Sequence, residues 1–182
     1  MRVITGTARG RRLKELEGTE TRPTTDRVKE GLFSALQFDI EGRRVLDLFA
    51  GSGQMGLEAL SRGAGEAVFV DSSKASIEVV QKNIASTGLS RGAQVHHMDS
   101  LLFLQRKQNP FDIAFLDPPY RTGLLQQALP LTAALMNNGG LMIAEHPQDE
   151  EVPEAVGDFV RGREYRYGKI LLTVYHHKDV EV

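Results

Sequence analysis

The chain has 182 residues, 41% of them hydrophobic and 25% charged, with a formal net charge of −2 and no cysteine. Those figures describe a soluble globular chain of one domain, long enough to bury a full core without staples. They exclude disulfides and thiolate metal sites and agree with a reducing compartment. No apolar run approaches the roughly 20 residues that span a bilayer. The opening MRVITGTARGRR has no apolar h-region, so no secretion signal is expected and the expected location is cytoplasmic.

Charge is unevenly placed. Residues 1–29 carry eight Arg or Lys against four acids, a net of +4, which leaves −6 on the remainder. A basic arm on an acidic body suits phosphate binding, although a solvated terminus would carry the same charges. VITGTARGRRLKEL (3–16) reads as a small ribbon or a mobile arm, and residues 1–21 are set apart from a domain over 22–182.

RPTTDRVKEGLFSAL (22–36) reads as a helix capped by Thr24 or Thr25, with Val28, Leu32, Ala35 and Leu36 inward. Short apolar runs then alternate with helical periods. RVLDLF (44–49), AVFVD (67–71), QVHHMD (94–99), DIAFLD (112–117) and GLMIAEH (140–146) read as strands. Helices are expected over 55–63, 74–88, 100–107 and 123–140, with Gly63 and Gly88 as stop signals and Pro130 kinking or splitting the last. Strands joined by crossover helices imply a parallel α/β sheet covered on both faces. REYRYGKILLTVYHH (163–177) lacks an intervening helix and reads as a closing antiparallel hairpin.

The first four strands each end with or beside an acid: Asp47, Asp71, Asp99 and Asp117. One such acid is an ordinary helix cap. Four in succession line the edge where open α/β sheets bind ligands. In DLFAGSGQMG (47–56), Gly51, Gly53 and Gly56 satisfy G-x-G-x-x-G, with Asp71 about 20 residues on, so an NAD-type oxidoreductase is a rival. Asp47 argues against it, because a carboxylate ahead of the glycines would repel a pyrophosphate and welcome a cationic ligand end. FLDPPY (115–120) stops a core strand on an acid and then fixes two prolines, which cannot continue a ladder.

DLFAGSG, the acid at the second strand end and DPPY together look like an S-adenosylmethionine-dependent amino-methyltransferase. With RPTTDRVKEGLFSAL, LDLFAGSGQMGLEALSRGA and FDIAFLDPPY, the chain closely resembles the RsmD-type family from ITGTARGRRL (4–13) to YGKILLTVY (167–175). Those enzymes methylate the N2 amino group of a guanine in bacterial 16S ribosomal RNA. The resemblance implies a doubly wound, Rossmann-like methyltransferase fold with a mostly parallel seven-stranded sheet and a C-terminal antiparallel hairpin. It implies S-adenosyl-L-methionine as cofactor and 16S rRNA, within a small-subunit particle, as partner, with no membrane and no metal.

It also implies roles. Asp47, Phe49, Gly51 and Gly53 would hold the methionine end of the cofactor, Asp71 the ribose hydroxyls, and Asp99 with Ser100 the adenine. Thr24 would lie over the cofactor. Arg9, Arg11, Arg12, Lys14 and Arg22 would contact RNA. Asp117, Pro118, Pro119 and Tyr120 would be catalytic. A purine amino group is a poor nucleophile because its lone pair is delocalised into the ring. Two acceptors, the Asp117 carboxylate and the Pro118 carbonyl, would draw its nitrogen toward a tetrahedral shape, while Tyr120 stacks on the base.

The same DPPY serves DNA adenine-N6 methylation, against which the chain offers no separate target-recognition segment. A glutamine methyltransferase would not call for the basic arm. A non-catalytic assembly factor would not need Asp117 or Tyr120. His96–His97 and His176–His177 sit in strand-like runs whose neighbours face opposite sides, which disfavours a shared metal. His146, and the basic aromatic run RGREYRYGK (161–169), are further candidate RNA contacts.

Overall fold

The computed structural model describes residues 1–18 and 25–181. In chain order the elements are α1 (Asp26–Ile40), β1 (Arg44–Leu48), α2 (Gln54–Ser61), β2 (Glu66–Asp71), α3 (Lys74–Thr87) and β3 (Ala93–His97). They continue with α4 (Ser100–Leu104), β4 (Phe111–Leu116), α5 (Leu124–Ala133), β5 (Met136–Pro147), β6 (Ala155–Val156), β7 (Phe159–Tyr167) and β8 (Ile170–His177). One sheet runs β3-β2-β1-β4-β5-β8-β7-β6. The first five strands pair in parallel, and β8 turns antiparallel to β5 and β7. The sheet has eight strands where seven were expected, because the two-residue β6 adds an edge to β7. Among the described residues, no helix is long and apolar enough to cross a membrane.

Alternation along the strands builds two cores. Val45, Ala67, Phe69, Ile113, Phe115 and Ile143 face α1, α2 and α3. Leu46, Leu48, Val68, Val70, Ala114 and Met142 face α4 and α5. Such period-two burial on both faces is what a crossover-connected parallel sheet requires. The order reverses between β1 and β4, whose C-terminal ends therefore open a crevice.

Three local expectations change. The helix after Gly123 ends at Ala133 and passes through Pro130, and residues 136–140 join β5 instead. Asn137, Asn138, Gly139 and Gly140 are weak helix formers, and they form the irregular stretch between the Phe111–Met136 and Ile113–Leu141 pairings. On α1, whose cap is Thr25, Ala35 is exposed while Lys29 and Phe33 are buried. The N-terminal segment is a docked ribbon: Arg2 bridges Arg12, Val3 and Leu13 are buried, and Asn83 of α3 bonds both the N–H and the carbonyl of Lys14 at 2.7 and 3.0 Å. At Gly6 (φ 93°) a Cβ would come within 1.8 Å of the Ser61 carbonyl oxygen, so only glycine permits this docking.

Candidate active site

A cleft of about 380 Å³ opens at the C-terminal ends of β1, β2 and β4. Phe49, Gly51 and Asp71 line it, with Asp99 and Ser100 at the start of α4 and Asp117, Pro118, Pro119 and Tyr120 after β4. Of the sequence-predicted cofactor and catalytic residues, Phe49, Gly51, Asp71, Asp99, Ser100 and Asp117 to Tyr120 meet in this one space. Arg9, Arg11, Arg12 and Lys14 do not line it; they are exposed on the ribbon. Arg22 and Thr24 lie outside the described residues.

Each acid is fixed by its local fold. Asp71 Oδ2 accepts the Gly51 N–H at 3.0 Å and Oδ1 the Ser73 N–H at 2.9 Å, so one carboxylate ties the glycine loop to the start of α3. Asp99 caps α4, its Oδ1 accepting the Leu102 N–H at 2.9 Å. Each carboxylate oxygen retains lone-pair capacity for a ligand hydroxyl or amino group. Asp47 is not on the cleft wall. It lies 4% exposed beneath the glycine loop, and Oδ2 accepts the Gly56 N–H at 2.9 Å. Burial pushes its pKa up to about 7, against the lowering effect of that N–H. Gly53, also off the wall, is the left-handed N-cap of α2. A Cβ on Gly56 would strike the Phe69 ring at 2.4 Å and stand 3.2 Å from Asp47 Oδ2, so the loop closes down over this acid only without a side chain there.

Among the described residues, two non-glycine residues adopt left-handed backbone, and both flank the cleft: Phe49 (φ 59°) and Arg121 (φ 57°). Such conformations cost about 1–3 kcal/mol each and persist where neighbours over-determine them. Arg121 is held by Asp149, at 2.8 and 3.0 Å from its guanidinium, and by Glu150 at 3.2 Å from its N–H. Thr122 Oγ1 donates to the Pro119 carbonyl at 2.7 Å. These bonds fix the loop carrying Tyr120.

Asp117 opens toward the cleft, yet its carboxyl is held well above the usual carboxylate range, by surrounding protein first and by Glu145 next. The Tyr120 hydroxyl donates to Glu145 Oε2 at 3.2 Å; its own pKa is also raised, by burial and then by Glu145. Glu145 is a residue the sequence did not single out. Leu16, Leu101 and Leu124 likewise line the cleft unforeseen. Leu101 was legible as the apolar neighbour of Asp99–Ser100, whereas Leu16 arrives through the docking of the ribbon. His146 is buried, with Nε2 2.7 Å from Thr173 Oγ1, and it does not line this cleft. Among the described residues no cluster of three or more His, Cys, Asp or Glu is placed to hold a metal ion.

The cleft lining combines three acids, Asp71, Asp99 and Asp117, with apolar Phe49, Leu101 and Leu124. Comparison with known proteins places the chain in a family. The family model described as conserved hypothetical protein 95 matches residues 1–176. The Bacillus subtilis protein YlbH is 42% identical over 180 residues, covering 96% of this chain and 98% of that one. Ribosomal RNA small subunit methyltransferase D of Escherichia coli is 36% identical over 183 residues, covering 98% of this chain and 90% of its own. The solved structure of yhhF from Escherichia coli superposes with a TM-score of 0.87 at 36% identity, over 97% of each chain. The chain belongs to the conserved hypothetical protein 95 family, the RsmD-type family that its motifs resemble.

Proposed function

We propose that the protein transfers a methyl group from S-adenosylmethionine to the N2 amino group of a guanine in 16S ribosomal RNA, presented within a small-subunit particle in the cytoplasm. One observation carries this reading: Asp117, Pro118, Pro119 and Tyr120 line the same cleft as Asp71 and Asp99. The Escherichia coli relative, named for small-subunit ribosomal RNA, supplies the substrate class.

When bound, the cofactor supplies a methyl group already activated on a sulfonium. Asp71 would hold the ribose hydroxyls, and Asp99 with Ser100 the adenine amino group. Asp47 would act from beneath the loop, through its charge. The Asp117 side-chain oxygen and the Pro118 carbonyl would accept the two amino hydrogens of the base. The prolines hold that carbonyl's direction, and Tyr120 would stack on a base turned out of its helix, worth about 1–3 kcal/mol. Alignment is the larger contribution, up to about 7–11 kcal/mol. The residues 1–21 act as an RNA-gripping extension of the catalytic domain over 22–182.

The test combines labelled S-adenosylmethionine, the purified protein and small subunits from cells lacking the enzyme, followed by nucleoside identification. N2-methylguanosine in stoichiometric yield is expected. An unlabelled RNA, or N6-methyladenine formed on DNA instead, overturns the target.

Two further results are expected. Asp47 should make cofactor affinity depend on pH. A cation favours the ionised acid, so affinity is full above about 7 and falls as pH drops through it, by up to about tenfold per unit. Calorimetric titration on either side of that value checks this: Asp47→Asn should flatten the profile, and a flat wild-type profile refutes the role. Changing Arg9, Arg11, Arg12 and Lys14 together to alanine should weaken RNA binding. The slope of log affinity against log salt should shrink by roughly 0.7–0.9 for each phosphate that the variant no longer neutralises. Unchanged affinity and slope would make the ribbon's charges mere solvation.

A further inference from the structure

Glu145 stands where the sheet brings two acids together. Leu116 and Ala144 are register partners in the parallel pair β4–β5, so the next residues, Asp117 and Glu145, leave adjacent strands side by side. Glu145 acts directly on the Asp117 carboxyl and helps to raise its pKa. Glu145 is 6% exposed. Tyr120 donates to its Oε2 at 3.2 Å, and Tyr167, reaching over β8 from the end of β7, donates to its Oε1. Of these residues, Asp117 and Tyr120 line the cleft and Glu145 and Tyr167 do not.

Two carboxylates leaving adjacent strands side by side repel, which favours one proton held between them. The phenols on Glu145 both donate to it, which favours the negative charge there and leaves the proton on Asp117. Asp117 then donates its O–H to Glu145 and keeps its carbonyl oxygen for a donor in the cleft. The other titratable groups acting on the cluster are Asp47 from β1 and Glu150 from the loop after β5, both acidic.

We propose that Glu145 is the terminal proton acceptor of the methyl transfer, a positioning residue that acts through Asp117. The inference rests on the amine-methylation reading above. As the sulfur–methyl bond breaks and the nitrogen–methyl bond forms, the nitrogen's proton passes to the carbonyl oxygen of Asp117. Asp117's own proton passes to Glu145. The sulfonium's positive charge and the negative charge of Glu145 vanish together, leaving a thioether, a neutral methylated base, a neutral Asp117 and a protonated Glu145. The C-terminal hairpin thereby enters the chemistry, since Tyr167 sets the charge on the acceptor.

Measurements on Glu145→Gln and Glu145→Asp test this, with small subunits as substrate. Gln is nearly isosteric and still accepts from a phenol. The expected result is a kcat about 10²-fold lower, with loss of the acid limb of the kcat–pH profile and unchanged cofactor affinity. Carboxyl NMR of the ligand-free protein should show the Asp117 titration moving down toward the usual range. Glu145→Asp, which restores a carboxylate, should recover at least about tenfold of the rate. A loss of less than tenfold, an unchanged acid limb, or an Asp variant no faster than the Gln variant overturns the relay. Should Glu145→Gln not fold, Tyr167→Phe decides. Removing one donor should move the acid limb to higher pH, and an unmoved limb overturns the proposal. Wild-type enzyme runs alongside: if it forms no N2-methylguanosine, the function fails, and if it does, only the relay is at issue.

Discussion

Asp117→Ala should abolish methyl transfer while leaving S-adenosylmethionine binding within a few-fold. The side chain is assigned two tasks at the reacting nitrogen, accepting one amino hydrogen and then taking its proton. Losing a preorganised partner of developing charge costs about 10²–10³ in kcat, and losing a positioned proton acceptor typically about 10²–10⁴. The two losses do not add, because Asp117, Glu145 and the Pro118 carbonyl act as one unit. Cofactor contacts lie elsewhere: Asp71 is held by Gly51 and Ser73, and Asp99 by the cap of α4, and none of these bonds involves Asp117. Single-turnover kinetics and equilibrium cofactor binding on the same preparation make the comparison. An equal loss in both would break the assigned role.

How much of this was legible in the sequence depended on the range of the interactions concerned. The four strand-end acids were readable because each is local: a strand period, an acid, a turn, a helix. DPPY was readable for the same reason. Glu145 was not, although it stands in a strand correctly expected over 140–146. Its role depends on which strand lies beside β5 and in which register, and a one-residue slip would send its side chain to the other face. Tyr167 was further out of reach, since it arrives through two antiparallel pairings. On α1 the apolar period pointed to Ala35 and passed over Lys29, because a lysine counts as outward in any pattern that ignores partners. The ribbon's docking was equally invisible: its backbone N–H groups bond the side chains of Glu58 and Ser61, residues more than 50 positions away.

Lys29 and Glu58 also carry the largest expected effect on stability. Both side chains are fully buried, 3.9 Å apart. Glu58 accepts from Ile4 N–H at 2.9 Å, Thr5 N–H at 3.1 Å and Arg62 Nε at 2.9 Å, while Lys29 Nζ donates to the Arg2 carbonyl at 2.7 Å. The acid therefore binds α1, α2 and the ribbon together. Glu58→Gln keeps the shape but leaves two cations, Lys29 and Arg62, without their shared anion, and breaking such a buried pair costs about 3–5 kcal/mol. Urea unfolding at neutral pH should show that loss. The sign of its pH dependence follows from Lys29, whose folded pKa is lowered by burial while Glu58 pulls it back up. Without Glu58 it falls further below the unfolded value of 10.5, so the unfolded chain binds more protons in between and stability rises with pH there. The variant's deficit should thus shrink as pH climbs from neutrality toward that value. A deficit that stays constant would mean the carboxylate acts only as a hydrogen-bond acceptor for the ribbon. Because the ribbon carries Arg9, Arg11, Arg12 and Lys14, the same variant should lose RNA affinity more than cofactor affinity. That ordering would link the buried pair to the substrate arm it clamps.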